Sequence, residues 1–104
     1  MLWRVTLAPS TLKDLKAIEE YHEQIDADYA QAIIKRLFDR FDSLTRLPHR
    51  GSRPRIEELK QYLQVFEKPY RILYRVDDAE RLVNVVAVIH QSQDTISTWR
   101  TSPR

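Results

Sequence analysis

Cysteine is absent from this sequence, and its absence removes two possibilities at once. No disulfide can staple the fold, and no thiolate can hold a metal ion. Long apolar runs are missing too. No stretch approaches the roughly 20 residues that cross a bilayer. The N-terminal MLWRVTLAP is interrupted by Arg4 and Thr6, so it does not read as a secretory leader. Together these absences fit a cytoplasmic protein without a membrane partner. Charge of one sign is also lacking, because 17 Lys and Arg stand against 15 Asp and Glu for a net of +2. Only local clustering of charge can therefore carry an electrostatic argument. Glycine occurs once, at Gly51. Neither a repeat nor a linker interrupts the 104 residues, and the expectation is one domain over 1–104, long enough to bury a single core.

What is present begins with the segment from Tyr70 to His90, which has the strongest β signal in the chain. Tyr70, Ile72, Tyr74 and Val76 alternate with Arg71, Leu73 and Arg75, the period of two of a strand with one wetter face. The turn Asp77-Asp78-Ala79-Glu80-Arg81 leads into Leu82 to Ile89, apolar except at Asn84, which suits a strand buried on both faces. His90 ends it.

Ahead of this hairpin, residues 2 to 7 alternate as a short first strand, and Pro9-Ser10 stops it, with Ser10 placed to cap a helix. Leu12, Leu15, Ile18, Tyr21 or His22, and Ile25 recur at helical spacing. Asp26 or Asp28 can then cap a second helix, whose stripe is Ala30, Ile33, Ile34, Leu37, Phe38, Phe41 and Leu44. The short connection makes the pair an antiparallel helical hairpin. The second helix should end near Leu47, since Pro48 cannot continue it and Gly51 follows.

Residues 56 to 61 are ambiguous. A strand from Tyr62 to Phe66 is expected next, joined to the hairpin by Glu67-Lys68-Pro69. Beyond His90, Asp94 can cap one short turn and Trp99 can dock on the body. The order strand, helix, helix, strand, strand, strand predicts an α+β fold of two layers, with the helical hairpin packed on a small antiparallel sheet. The other face of that sheet is expected to be open and to carry Arg4, Thr6, Arg71 and Arg75.

Two groups of charge invite a functional reading. The loop RLPHRGSRPR concentrates Arg46, His49, Arg50, Arg53 and Arg55 without one acid, a candidate contact with nucleic acid or an acidic target. Glu19, Glu20, His22, Glu23, Asp26 and Asp28 lack a two-histidine metal spacing and read as a wet helix face, so neither metal nor cofactor is expected.

At this point the residues resemble the RelE/ParE superfamily of toxins from type II toxin-antitoxin pairs, and its ParE branch in particular. The matching pieces are the opening strand, Leu12, Asp14, Leu15, Ile18 and Tyr21, then Leu44, Leu47, Pro48 and Gly51, the block Pro69 to Val76, and Val86, Val88, Ile89 and His90. One departure is that Gln93 precedes Asp94 where ParE-like chains commonly have an arginine.

The resemblance implies a β-α-α-β-β-β toxin, neutralised by a ParD-like antitoxin in a hetero-oligomer, that acts on DNA gyrase. RelE-like relatives instead cut mRNA on the ribosome, and a third possibility is a relative that only forms complexes. Were this chain an endoribonuclease, Arg71 would offset phosphorane charge and His90, or His49, would move the proton. Arg71 serves equally well as a structural ion-pair residue, and His90 as a structural hydrogen-bonding one. The antitoxin is expected on Arg4, Arg71, Leu73 and Arg75, and the target on Arg50, Arg53 and Arg55.

Overall fold

The computed structural model describes residues 2–101. Its elements are β1 (Arg4–Leu7), α1 (Pro9–Glu23), α2 (Ala27–Ser43), a 3-10 turn (Glu57–Leu59), β2 (Leu63–Glu67), β3 (Tyr70–Asp77), β4 (Leu82–His90) and α3 (Thr95–Thr101). The expected order is present, and the single turn expected after Asp94 is extended into α3. Asp94 does cap it, accepting from the Ile96 and Ser97 N–H groups at 3.1 and 3.3 Å.

The strands form one sheet in the order β1-β4-β3-β2. β2, β3 and β4 are antiparallel, as expected, but β1 runs parallel to β4. Both helices and two strands lie between β1 and β4 in the chain, so no tight turn imposes an antiparallel sense on that pair.

The helical hairpin covers one face of the sheet. Ile33, Leu37, Phe41 and Leu44 from α2 and its end meet Leu15 and Ile18 of α1 over Ile72, Tyr74, Val83, Val85 and Val88. Of the two candidate caps for α2 the chain uses Asp26, which accepts from the Asp28 and Tyr29 N–H groups at 3.0 and 3.2 Å. α2 ends at Ser43, earlier than Leu47, and the chain turns through Arg46 so that Pro48 is buried and Leu47 exposed. Leu12, Ile25 and Phe38, counted in the helical stripes, lie at their outer edges and are exposed. Arg36 and Arg40 both bridge to Glu67, fastening α2 to the β2–β3 turn.

One irregularity organises the middle of the sheet. Leu73 pairs with Ala87 and the next residue, Tyr74, with Val85, so Val86 is the extra residue of a β-bulge. Strand β1 pairs with β4 only from Leu82 to Val85. Past that point the start of α1 takes over the edge. Ala8 N–H and Thr11 Oγ1 donate to the Val85 carbonyl at 2.9 and 2.7 Å, Ser10 Oγ donates to the Val86 carbonyl at 2.8 Å, and Asp14 accepts the Val88 N–H at 3.0 Å. Ser10 is therefore not the N-cap. Ala8 holds that place with Pro9 after it, because proline's fixed φ starts a helix unaided, and this frees Ser10 to turn inward.

The second face of the sheet is not open throughout. Leu59 and the partly buried Ile56, Tyr62, Ile96 and Trp99 cover Leu73, Val86, Ala87 and Ile89. Trp99 docks as expected, edge-on to Tyr62 with centroids 5.1 Å apart. Arg100 pairs with Glu58, tying α3 to the 3-10 turn.

Candidate functional site

Three surfaces hold the residues that the sequence singles out. The first is the uncovered half of the second face. There the register aligns Arg75, Asn84 and Thr6 in one row and Asp77, Leu82 and Arg4 in the next. Thr6 Oγ1 donates to Asn84 Oδ1 at 3.2 Å across the row, and Arg4 and Arg75 are exposed as expected. Leu73 departs from expectation. It is fully buried under the cover formed by the 3-10 turn and α3, so it cannot meet an antitoxin while that cover is in place.

Arg71 departs in part. It is half-buried near the start of β3, where Nη1 donates to Gln64 Oε1 at 2.6 Å and the guanidinium lies 5.2 Å from the centre of the Phe66 ring. Among the described residues its buried Nε has no hydrogen-bond partner, so the fork is only partly satisfied.

The second surface is a cleft of 580 Å³ on the helix side, between α1 and the end of the hairpin. His90 and Tyr70 are directly paired across β3 and β4, and their rings meet edge to face at 5.3 Å. His22 Nε2 lies 2.8 Å from the Tyr70 hydroxyl. Burial raises the Tyr70 phenol above its ordinary value near 10.0, and Tyr29 and Tyr21 add to the effect, so the group is neutral at physiological pH. The His90 ring is committed: Nδ1 accepts the Ser92 N–H at 3.0 Å, with Ser92 Oγ at 2.7 Å. A backbone N–H can only donate, so the neutral ring carries its proton on Nε2. Gln93 accepts the His90 N–H at 3.2 Å and so closes the turn after β4.

Arg71 and His90, paired by sequence reasoning as an endoribonuclease site, are not brought together. Arg71 sits opposite Ile89 and His90 opposite Tyr70, and successive residues of a strand face opposite ways. The sheet lies between them, so one reacting phosphate cannot meet both. Sequence reasoning missed the cleft. Its signal was the aromatic set Tyr21, His22, Tyr70 and His90, which becomes visible only once hairpin register places His90 beside Tyr70.

The third surface is the basic loop. Tyr74 holds it from below, its hydroxyl accepting the Gly51 N–H at 2.9 Å. Burial raises the Tyr74 phenol, against the opposing effects of that N–H and of Arg50. Gly51 is required by close approach, since a Cβ there would stand 2.5 Å from the Tyr74 hydroxyl and 2.6 Å from the Gln64 carbonyl oxygen. Ser52 and Gln64 exchange backbone hydrogen bonds at 3.0 and 2.8 Å, adding a rung at the β2 edge.

This arrangement of helices, sheet and loop has known counterparts. A family model described as the ParE toxin of the type II toxin-antitoxin system parDE matches residues 5–95. The chain belongs to the ParE toxin family. Among solved structures, the chromosomal ParDE system of P. aeruginosa superposes on this ParE-family chain with a TM-score of 0.72 at 13% identity, covering 86% of this chain and 96% of that one. The RelBE2 toxin-antitoxin complex of Mycobacterium tuberculosis is 25% identical with a TM-score of 0.60, covering 86% and 99%. A mutant of the E. coli toxin RelE in the free state is 14% identical with a TM-score of 0.64, covering 94% and 93%. No curated protein sequence matches at a significant level. ParE-type and RelE-type toxins therefore share the fold found here.

Proposed function

We propose that this ParE-family toxin arrests growth by binding DNA gyrase, and that a ParD-like antitoxin neutralises it in a hetero-oligomeric cytoplasmic complex. One observation carries the choice of gyrase over mRNA: the sheet separates Arg71 from His90, and the His90 Nδ1 lone pair is already used by Ser92. Cleaving RNA needs a base, an acid and a cation around one phosphate. A binding inhibitor needs only a surface.

The antitoxin is assigned to the adjacent rows that hold Thr6, Asn84 and Arg75 and, beside them, Arg4, with Arg71 near the start of β3. An acidic segment that folds on binding complements these cations, and the area it buries offsets its ordering cost.

Purified protein tests the mechanism. Incubated with gyrase, DNA and ATP, it should reduce supercoiling or trap cleaved DNA, and incubated with translating ribosomes it should leave the message whole. The His90→Gln variant should keep its toxicity, whereas loss of a true acid-base group costs about a hundred- to ten-thousand-fold in rate. Codon-positioned cuts that disappear in His90→Gln would overturn the reading in favour of a RelE-like endoribonuclease.

A further inference from the structure

The basic loop after α2 is built as a platform. Pro48 and Pro54 are buried, while Arg46, His49, Arg50, Arg53 and Arg55 around them are all exposed. Each proline is an anchor that turns its neighbours outward, and Pro54 also disfavours a helical conformation at Arg53. The Tyr74 hydroxyl and the Ser52–Gln64 rung fix the loop between the anchors. The cations are thus presented on a supported backbone, so little ordering cost remains for a ligand to meet.

Little within the molecule neutralises them. His49 Nε2 meets Asp78 Oδ1 at 2.8 Å, and Arg53 Nη1 donates to the Lys60 carbonyl at 2.6 Å, which leaves its charge uncompensated. Among the described residues the side chains of Arg46, Arg50 and Arg55 have neither a hydrogen bond nor a carboxylate partner. Elsewhere acids lie close to bases, as in Lys35–Asp39, Arg36–Glu67, Lys60–Glu57 and Arg100–Glu58. With a net charge of only +2, the concentration of cations here is a local feature and not a consequence of bulk composition.

We propose that this loop binds the phosphate backbone of duplex DNA, with Arg50, Arg53 and Arg55 as the contacts. Arginine forks suit phosphate oxygens. The ring available in the loop, His49, is already engaged edge-on with Trp3 at 5.8 Å and with Asp78. The platform therefore lacks the free stacking ring with which single strands are held, and duplex is the better match. The contact is independent of base sequence. It goes beyond the gyrase reading, since DNA alone suffices.

The test is fluorescence anisotropy of the purified protein with a short mixed-sequence duplex and no gyrase, across a salt series. Each neutralised phosphate contributes about 0.9 to the log-log salt slope, so three contacts weaken binding roughly 40-fold between about 50 and about 200 mM salt. The variant Arg50→Gln/Arg53→Gln/Arg55→Gln, confirmed folded by its melting curve, should lose that slope and most of the affinity. A control variant Lys13→Gln/Lys16→Gln/Lys68→Gln removes the same charge from exposed positions elsewhere and should bind as the parent does. Three results overturn the proposal: equal weakening in both variants, tighter binding to a single strand than to the duplex, or no duplex binding by the parent. None of them bears on gyrase inhibition, which is scored separately with the parent protein.

Discussion

The two faces of the sheet differ in kind. The helix side is apolar where the hairpin covers it, with Ile72, Tyr74, Val83 and Val85 all fully buried beneath α1 and α2, and opens to a cleft at the His90 end. The second face is divided: Leu73, Val86, Ala87 and Ile89 are under the 3-10 turn and α3, and Arg75, Asn84, Thr6 and Arg4 face solvent in polar rows. Stability is thus concentrated on one side, and a surface free to recognise a partner is left on the other. Substitutions on the two sides should have separable effects.

The largest effect is expected on the helix side. Phe41 is buried and meets Phe38 edge to face at 5.4 Å, so Phe41→Ala should cost about 3–5 kcal/mol, a large part of a small domain's stability, and abolish toxicity through unfolding. Melting indistinguishable from the parent would show that the helix side does not dominate. Trp99→Ala, in the cover of the second face, should cost about 2 kcal/mol or less, because the ring is only half-buried. A cost equal to that of Phe41→Ala would erase the contrast. Gly51→Ala lies between, at about 1–3 kcal/mol, since its methyl must displace the Tyr74 hydroxyl or the Gln64 carbonyl.

Smaller still is the expected stability change for Arg4→Glu/Arg75→Glu, within about 0.5 kcal/mol because both residues are exposed. Antitoxin affinity should nevertheless fall, and calorimetric titration that finds it unchanged removes this row as the antitoxin surface. A pH series sharpens the comparison last. Burial raises the pKa of Tyr70 and Tyr74, both on the helix side, so the folded state favours their neutral forms. That contribution is complete below the unfolded value near 10.0 and is lost as pH rises through the folded values, so stability should decline above about pH 10. Tyr70→Phe should flatten the decline, and an unchanged alkaline profile would show that burial on this side does not govern it.

Most of this architecture was legible because period decides it. The alternation from Tyr70 to Val76, the helical stripe from Ala30 to Leu44, and the caps at Asp26 and Asp94 are local patterns, and the structure follows them. Three features depended on contacts distant in sequence. Val86 looks like its β-branched neighbours, so the bulge left no mark. Residues 56 to 62 and α3 are short and weakly patterned, yet together they cover half a sheet face and bury Leu73. Arg71 and His90 looked like partners because residue type suggests chemistry, whereas facing depends on a register that the sequence alone did not specify. Ser10 was misread as a cap for a related reason, since the groups its hydroxyl serves lie 76 residues away.

The parallel placement of β1 sets a timetable for the toxin's birth. Strand β1 is an edge strand whose ladder partner, β4, is made much later; Thr6 and Asn84 are 78 residues apart. At about 5–20 residues per second, a ribosome takes roughly 4–16 s to cover that interval. The helical hairpin can form locally meanwhile, but long-range pairing of this sort is slow and comes late. The rows that hold Thr6, Asn84 and Arg75 and, beside them, Arg4 do not exist until β4 is made, so the nascent chain has no such surface to offer a partner until synthesis has passed Asn84.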